Sequence, residues 1–243
     1  MSYAKFAKYY DRYWTKDAPA LFEMALNRLV LPLLPEKADI LDLCCGTGQL
    51  SARLSHRRFN VIGVDNSREM LDIAEKNAPD VLFSLQDAET FSLSQKFSAV
   101  VSVFDSVNHF LSEESLLNLF NSVMKALKDG GIFFFDINGI NAFDDDWDEG
   151  FSMVDCSSAC IVKPLFEPVT GDIVYNIIIF EVKGSGGDYL RTDTQVQERF
   201  YPNELILSLL RESGFNEVQI VDGYADLKIK AFKCRQFFLA KAN

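Results

Sequence analysis

The stretch Asp39-Ile40-Leu41-Asp42-Leu43 and the turn that follows it, Cys44-Cys45-Gly46-Thr47-Gly48, constrain this chain more than any other. Five mostly apolar residues read as a buried strand, and Gln49 to Ser55 resumes at helical spacing beyond a turn of small residues. Such a turn lets a ligand touch backbone. Gly46 and Gly48 lack the Cβ atoms that would hold the ligand off, and the following helix start offers free N–H groups. Asp42, four residues ahead of Gly46, would repel a pyrophosphate and suits a ligand carrying positive charge.

Two further strand ends carry matching chemistry. Phe59 to Val64 is a short, mostly apolar run closed by Asp65, followed by the helix-start pattern Asn66-Ser67-Arg68-Glu69-Met70-Leu71. An acid about 20 residues beyond a glycine turn, at the tip of the next strand, can accept both hydroxyls of a ribose. A third strand, Val81 to Leu85, leads into Gln86-Asp87-Ala88, where an acid can face an adenine amino group. The three tips match a nucleoside lying across the carboxyl edge of a parallel sheet.

With Asp65 and Gln86-Asp87-Ala88 at this spacing, Leu41 to Gly48 resembles the class I S-adenosylmethionine-dependent methyltransferases. The resemblance runs from about Ile40 to Asp136 and resumes near Tyr201. It implies an α/β fold: a doubly wound, mostly parallel, seven-stranded Rossmann-like sheet, with a small antiparallel β insertion after the fifth strand. Residues 1–137 and 201–243 would form the S-adenosyl-L-methionine-binding domain, and 138–200 the inserted lobe. The cofactor would be held by Asp42, Cys44, Cys45, Gly46, Gly48, Asp65, Asn66, Met70, Gln86, Asp87 and Ala88, with Phe104 and Asp105 at the fourth strand's end. Cys44 stands where the family usually has glycine, and its side chain is small enough to keep the turn. Related small-molecule enzymes fold an N-terminal Tyr-Asp helix over the cofactor as a lid, a pattern matched by Tyr10-Asp11.

Periodicity organises the remainder. Phe6, Tyr9, Tyr10, Tyr13 and Trp14 form a helical stripe, and Leu21 to Leu34 carries a similar apolar face up to Pro35. Phe97 to Phe104 reads as a fourth strand. A helix opens at Glu113 and Glu114 and is expected to end at Gly130-Gly131, before a fifth strand from Ile132 to Ile137. Strands alternating with amphipathic helices imply a parallel, doubly wound sheet. Between Asn138 and Phe200 the pattern changes. Asp172 to Lys183 and Thr192 to Phe200 read as antiparallel strands joined by a glycine hairpin, punctuated upstream by Pro164 and Pro168. Thr194, Val196 and Phe200 alternate with Asp193, Gln195, Gln197 and Arg199, which implies one wet face. A helix from Pro202 to Ser213 and strands at Val218–Val221 and Cys234–Leu239 complete the chain.

A sulfonium methyl is already activated, so transfer needs few side chains: a bound cofactor, an aimed nucleophile and a means to deprotonate it. The fourth strand runs out into Phe104-Asp105-Ser106-Val107-Asn108-His109-Phe110, unlike the Asn-Pro-Pro-Tyr type used on nucleic-acid amino groups. It looks like the versions found in small-molecule methyltransferases, including amino-sugar and amino-acid N-methyltransferases. His109, one of two histidines, is a candidate general base or a structural residue. Asn108 either anchors substrate or caps the next helix.

Charge narrows the partners. A net charge of −11 argues against nucleic acid, whose phosphates are bound largely by Lys and Arg. Met1 to Phe6 holds no long apolar stretch, so no signal peptide is expected, and no membrane span is read. Five cysteines without Cys-x-x-Cys spacing read as free thiols in a cytoplasmic protein, not as a metal site. Asp144-Asp145-Asp146-Trp147-Asp148-Glu149 is a solvated loop or a cation site. The partner expected is a small-molecule methyl acceptor taking the group on N or O, with the chain a monomer or homodimer. Two other readings stand beside it. A silent cofactor-binding regulator shares every binding feature. A nicotinamide oxidoreductase would carry a third glycine at Ser51 and would not want Asp42.

Overall fold

The computed structural model describes residues 6–139, 150–184 and 187–242. Helices α1 (Ala7–Tyr13) and α2 (Ala18–Leu29) precede an alternating series. The series runs β1 (Asp39–Leu43), α3 (Gln49–His56), β2 (Asn60–Asp65), α4 (Arg68–Asn77), β3 (Leu82–Leu85) and β4 (Phe97–Ser102). It continues with α5 (Glu113–Ala126) and β5 (Leu127–Asn138). Four strands follow: β6 (Phe151–Val154), β7 (Ser158–Glu167), β8 (Asp172–Lys183) and β9 (Asp188–Arg199). The chain returns through α6 (Asn203–Glu212), β10 (Glu217–Asp222) and β11 (Arg235–Lys241).

Seven strands form one sheet in the order β10-β11-β5-β4-β1-β2-β3. β1 to β5 are mutually parallel, and β11 runs antiparallel between β5 and β10. Helices cover both faces, so the central strands bury both sides and read as unbroken apolar runs. Phe133 and Phe135 of β5 pack on one face with Phe120 of α5. Phe134 turns to the other face and stacks on Phe237 at 5.4 Å, in the layer that holds Phe22 and Leu26 of α2. The helices begin where serines cap them: Ser67 Oγ accepts from Met70 N at 3.3 Å and Ser112 Oγ from Ser115 N at 3.1 Å.

Two helix ends differ from expectation. The segment expected to stay helical to Pro35 leaves the α-helix at Leu29 and closes in a single 3-10 turn, Leu31–Leu33. Pro32 offers no N–H and disfavours α geometry in the residue before it. Helix α5 stops at Ala126 rather than at Gly130-Gly131. Leu127 already pairs with Phe97, and the ladder shifts register before resuming with Ile132 opposite Ala99.

The insertion is a four-stranded antiparallel sheet, β6-β7-β8-β9, two strands larger than the hairpin read from the sequence. Pro164 lies within β7. Among the described residues β6 pairs with β7 only as far as Val162, so Pro164 meets no strand partner on that side, the place a residue without N–H is tolerated. The inner face, with Cys160, Val162, Ile173, Tyr175, Ile177, Ile179 and Val196, packs against Tyr9 of α1 and Phe6, the residue that precedes it. Burying such large side chains stabilises the contact by roughly 1.5–3 kcal/mol each. Tyr9 Oη donates to Glu181 at 2.9 Å and Tyr13 Oη to the Ser158 carbonyl at 3.0 Å, which fixes α1 on the small sheet. Among the described residues no helix is long and apolar enough to cross a membrane. The acidic stretch Asp144 to Glu149 lies outside the described residues.

Candidate active site

A cavity of about 400 Å³ opens between the carboxyl ends of β1 to β4 and the inner face of the small sheet. Of the residues read from the sequence, Tyr10, Cys44, Gly46, Asp65, Asn66, Met70, Gln86, Asp87, Ala88, Phe104, Asp105 and His109 line it. Asp42, Cys45, Gly48 and Asn108 do not.

The β1 turn separates its glycines by role. Gly46 has φ of +53°, and a Cβ there would meet Tyr10 Cε1 at 3.6 Å, on the cavity side. Gly48, with φ of +78°, faces away from the cavity: a Cβ would come within 2.8 Å of Ala74 Cβ. The missing Cβ lets α4 and Phe83 pack against the turn. Asp42 does not line the cavity either; it is buried and accepts from Ser51 Oγ at 2.5 Å. Burial lifts its carboxyl to about 7. Ser51, the place of a third glycine in an oxidoreductase, is thus occupied by a hydroxyl serving Asp42. Cys45 donates its N–H to the Val64 carbonyl at 3.0 Å, which ties the turn to β2. Its thiol is buried, which pushes its pKa well up.

Asp65 ends β2. Its Oδ2 accepts from Gly46 N and its Oδ1 from Ser67 N, both at 2.9 Å. Burial raises its pKa, and the backbone N–H groups oppose that rise. A carboxylate has about four acceptor positions, so two remain for a diol. Further along, Gln86 spends its amide on Ser84 Oγ (2.9 Å) and Ser92 N (2.8 Å), while Asp87 accepts from Glu89 N at 2.9 Å. Glu89 and Ser115 also line the cavity here.

Beyond β4, Phe104 and Asp105 both adopt left-handed φ values, +71° and +53°. Asp136, wholly buried in β5, holds them there. Its two oxygens accept from Phe104 N at 2.7 Å and Asp105 N at 3.0 Å. Arg235, at the start of β11, bonds Asp136 through Nη1 and Asp105 Oδ1 through Nη2 at 2.8 Å. Its guanidinium lies 5.3 Å from the Phe22 ring. Burial raises the Asp136 carboxyl to about 6 even against the pull of Arg235. Tyr10 meets Phe104 edge-on at 5.9 Å and stacks on Trp14 at 6.4 Å, so α1 closes the cavity over the β4 tip.

Asn108 lies behind the cavity wall rather than on it. It is fully buried, donates to the Arg199 carbonyl at 2.9 Å and accepts from Asn138 N at 3.0 Å. Its amide binds β9 and β5 to the β4 turn, and the cap of α5 belongs to Ser112. His109 Nδ1 lies 2.9 Å from the Gln197 carbonyl. A carbonyl can only accept, so Nδ1 carries the proton and Nε2 keeps a lone pair when the ring is neutral.

One functional candidate escaped the sequence. Glu198, on the inner face of β9, is only 4% exposed yet lines the cavity. Ligand atoms of Asp105, His109 and Glu198 all lie within 4.8 Å of one another. Burial first, and Asp105 second, push the Glu198 carboxyl well above the usual range. Only the two-residue period of β9 signalled it: Thr194, Val196 and Glu198 share one side.

Comparison with known proteins settles the family. A methyltransferase-domain family model matches residues 40–131. The chain is 31% identical over 215 residues to YqeM of Bacillus subtilis (strain 168), which carries a methyltransferase name, covering 86% of each chain. A solved S-adenosylmethionine-dependent methyltransferase from Clostridium acetobutylicum ATCC 824 superposes with a TM-score of 0.81, at 29% identity and 99% coverage of both chains. The chain belongs to the S-adenosylmethionine-dependent methyltransferases. The methyltransferase is also similar, at 36% identity over 104 residues, to an enzyme of Streptomyces venezuelae. That enzyme is named dTDP-3-amino-3,4,6-trideoxy-alpha-D-glucopyranose N,N-dimethyltransferase, and the match covers 43% of this chain and 44% of that one.

Proposed function

We propose that this methyltransferase transfers its methyl group to a nitrogen or oxygen of a small molecule held between the large sheet and the small one. The observation that carries this reading is the single cavity joining Asp65 and Asp87 on one side to His109 and Glu198 on the other. S-adenosylmethionine supplies an activated methyl group on a sulfonium. Asp65 accepts the ribose hydroxyls with the lone pairs that Gly46 and Ser67 leave free. Asp87 and Ala88 face the adenine, Met70 packs beside it, and Gly46 allows close approach over the turn. Cys44 and Asn66 complete that wall. Tyr10 and Trp14 cover the β4 tip and exclude water, while Phe104 and Asp105, fixed by Asp136 and Arg235, form the floor where the methyl is delivered. His109 Nε2 receives the acceptor's proton.

The enclosed size favours a small acceptor, and the acidic balance of the chain disfavours a nucleic acid. Residues 1–137 and 201–243 serve as the cofactor unit and 138–200 as the acceptor lobe, with α1 bridging the two. The Streptomyces venezuelae relative, named for N,N-dimethyl transfer to an amino sugar, is in line with this reading. A screen of amines, phenols and carboxylates for S-adenosylhomocysteine release tests it. Turnover above the acceptor-free rate, lowered at least tenfold by His109→Ala, is expected. Release confined to RNA or protein acceptors would overturn it.

A further inference from the structure

The chemistry around Glu198 narrows the acceptor. Two carboxyl groups, Asp105 and Glu198, line the acceptor end of the cavity with Asp136 buried behind Asp105, and one buried guanidinium, Arg235, stands against them. Arg235 is committed to Asp105 and Asp136. Glu198 has Tyr175 Oη at 3.5 Å, a distance at which a hydrogen bond is weak, with Asp105 and Asn138 as further side-chain partners, and its carboxyl borders the cavity. Burial and Asp105 already disfavour further negative charge here, so an anionic acceptor is opposed in this low-dielectric space, whereas a group with N–H donors and positive charge would stabilise the Glu198 carboxylate. Beside these groups the cavity wall turns apolar, with Val162, Ile177 and Val196 of the small sheet. Asp105, His109 and Glu198 also have donor atoms close enough to share a metal ion. Arg235 bonds one of those donors, Asp105 Oδ1, at 2.8 Å, so a dication would sit beside a buried positive charge.

We infer that Glu198 selects a nitrogen acceptor: it receives the N–H of a primary or secondary amine attached to an apolar body, and discriminates against hydroxyl and carboxylate acceptors. The inference rests on the methyl-transfer reading above and deepens it. The amine enters as an ammonium ion and gives one proton to His109 Nε2. Its freed lone pair forms the N–C bond as the methyl's C–S bond breaks, leaving a neutral thioether and a methylated ammonium that departs with the positive charge. His109 returns its proton to solvent. Glu198 holds a remaining N–H throughout, so the lone pair points at the methyl.

Cofactor analogues test this without the natural acceptor. The probes are S-adenosylhomocysteine analogues with nitrogen in place of sulfur, bearing an aminoethyl or aminopropyl arm, compared with their propyl and butyl isosteres. Calorimetry on the full chain should show at least one amine arm binding tenfold or more tighter than its isostere. In Glu198→Gln that preference should shrink to less than threefold, with S-adenosylhomocysteine affinity unchanged as proof of a folded cofactor site. Equal binding of amine and alkyl arms by the unaltered protein would overturn the inference, as would a preference that survives in Glu198→Gln. A preference that appears only with added Mg²⁺ or Mn²⁺ and vanishes with chelator would make the trio a metal site and overturn it too. Failure of S-adenosylhomocysteine itself to bind would instead count against the cofactor reading.

Discussion

Replacing Asp65 separates its work on the ligand from its work on the fold. Two of its acceptor positions fasten Gly46 N and Ser67 N at 2.9 Å, and the other two are assigned to the ribose hydroxyls. Hydrogen bonds to a charged group contribute roughly 1.5–3 kcal/mol each. Taking the lower value for two bonds gives about 3 kcal/mol, on the order of a 100-fold loss in affinity for S-adenosylmethionine in Asp65→Ala. The alanine also strands two backbone N–H groups, at roughly 1–3 kcal/mol apiece, offset in part because a buried charge disappears. Asp65→Ala should therefore melt lower as well as bind worse. Asp65→Asn keeps one side-chain oxygen and should stay closer to the parent in melting temperature while losing about tenfold or more in affinity. Calorimetric titration with S-adenosylmethionine, at a temperature where circular dichroism shows each variant folded, reads the effect. Dissociation constants within threefold of the parent for both variants would refute the assignment.

The two turn glycines should fail in different ways. Gly46→Val should abolish cofactor binding, because its side chain extends toward Tyr10 across the cavity, and at φ of +53° it should also lower the melting temperature, whereas Gly48→Ala should lose roughly 1–3 kcal/mol of stability against Ala74 and keep its affinity when folded. Thermal melts paired with titration distinguish them. Arg235→Met leaves Asp105 and Asp136 without their cation and should lower unfolding free energy by about 3–5 kcal/mol in urea, with Arg235→Lys recovering part of it. Asp42 titrates near 7 in the folded chain, far above its ordinary value, so the folded state holds that proton more tightly than the unfolded one. The stability it contributes is complete at pH values below about 4 and disappears as pH rises through about 7. Asp42→Asn should narrow the gap in melting temperature between pH 5 and pH 8. Asp136, raised to about 6, acts in the same direction and leaves a residual slope.

What could be read beforehand was whatever local spacing encodes. The β1 turn, Asp65 after β2 and Asp87 after β3 each sit at the end of an apolar run, so their common edge follows from the strand–helix alternation alone. Gly48 shows the boundary of such reasoning: the residue is required, but by α4, which no local pattern reveals. Asn108 and Asp136 serve backbone groups distant in sequence, at Arg199 and at Phe104-Asp105, through a topology that spacing does not encode. Arg235 meets Asp105 only because β11 inserts beside β5. Glu198 was hidden for a different reason. A charged residue on an alternating strand reads as solvent-facing, and here the inner face of β9 borders a cavity rather than a core. Strands β6 and β7 were missed because Pro164 read as a break, although among the described residues it lies beyond the last β6 pairing, on a side of β7 without a strand partner.

The most direct test of the account is a crystal structure of the protein with S-adenosylhomocysteine. Both ribose hydroxyls should lie on Asp65, the adenine amino group beside Asp87, and the sulfur above the Phe104-Asp105 turn, facing His109 and Glu198. A nucleoside bound away from Asp65, or a sulfur turned away from the small sheet, would contradict it.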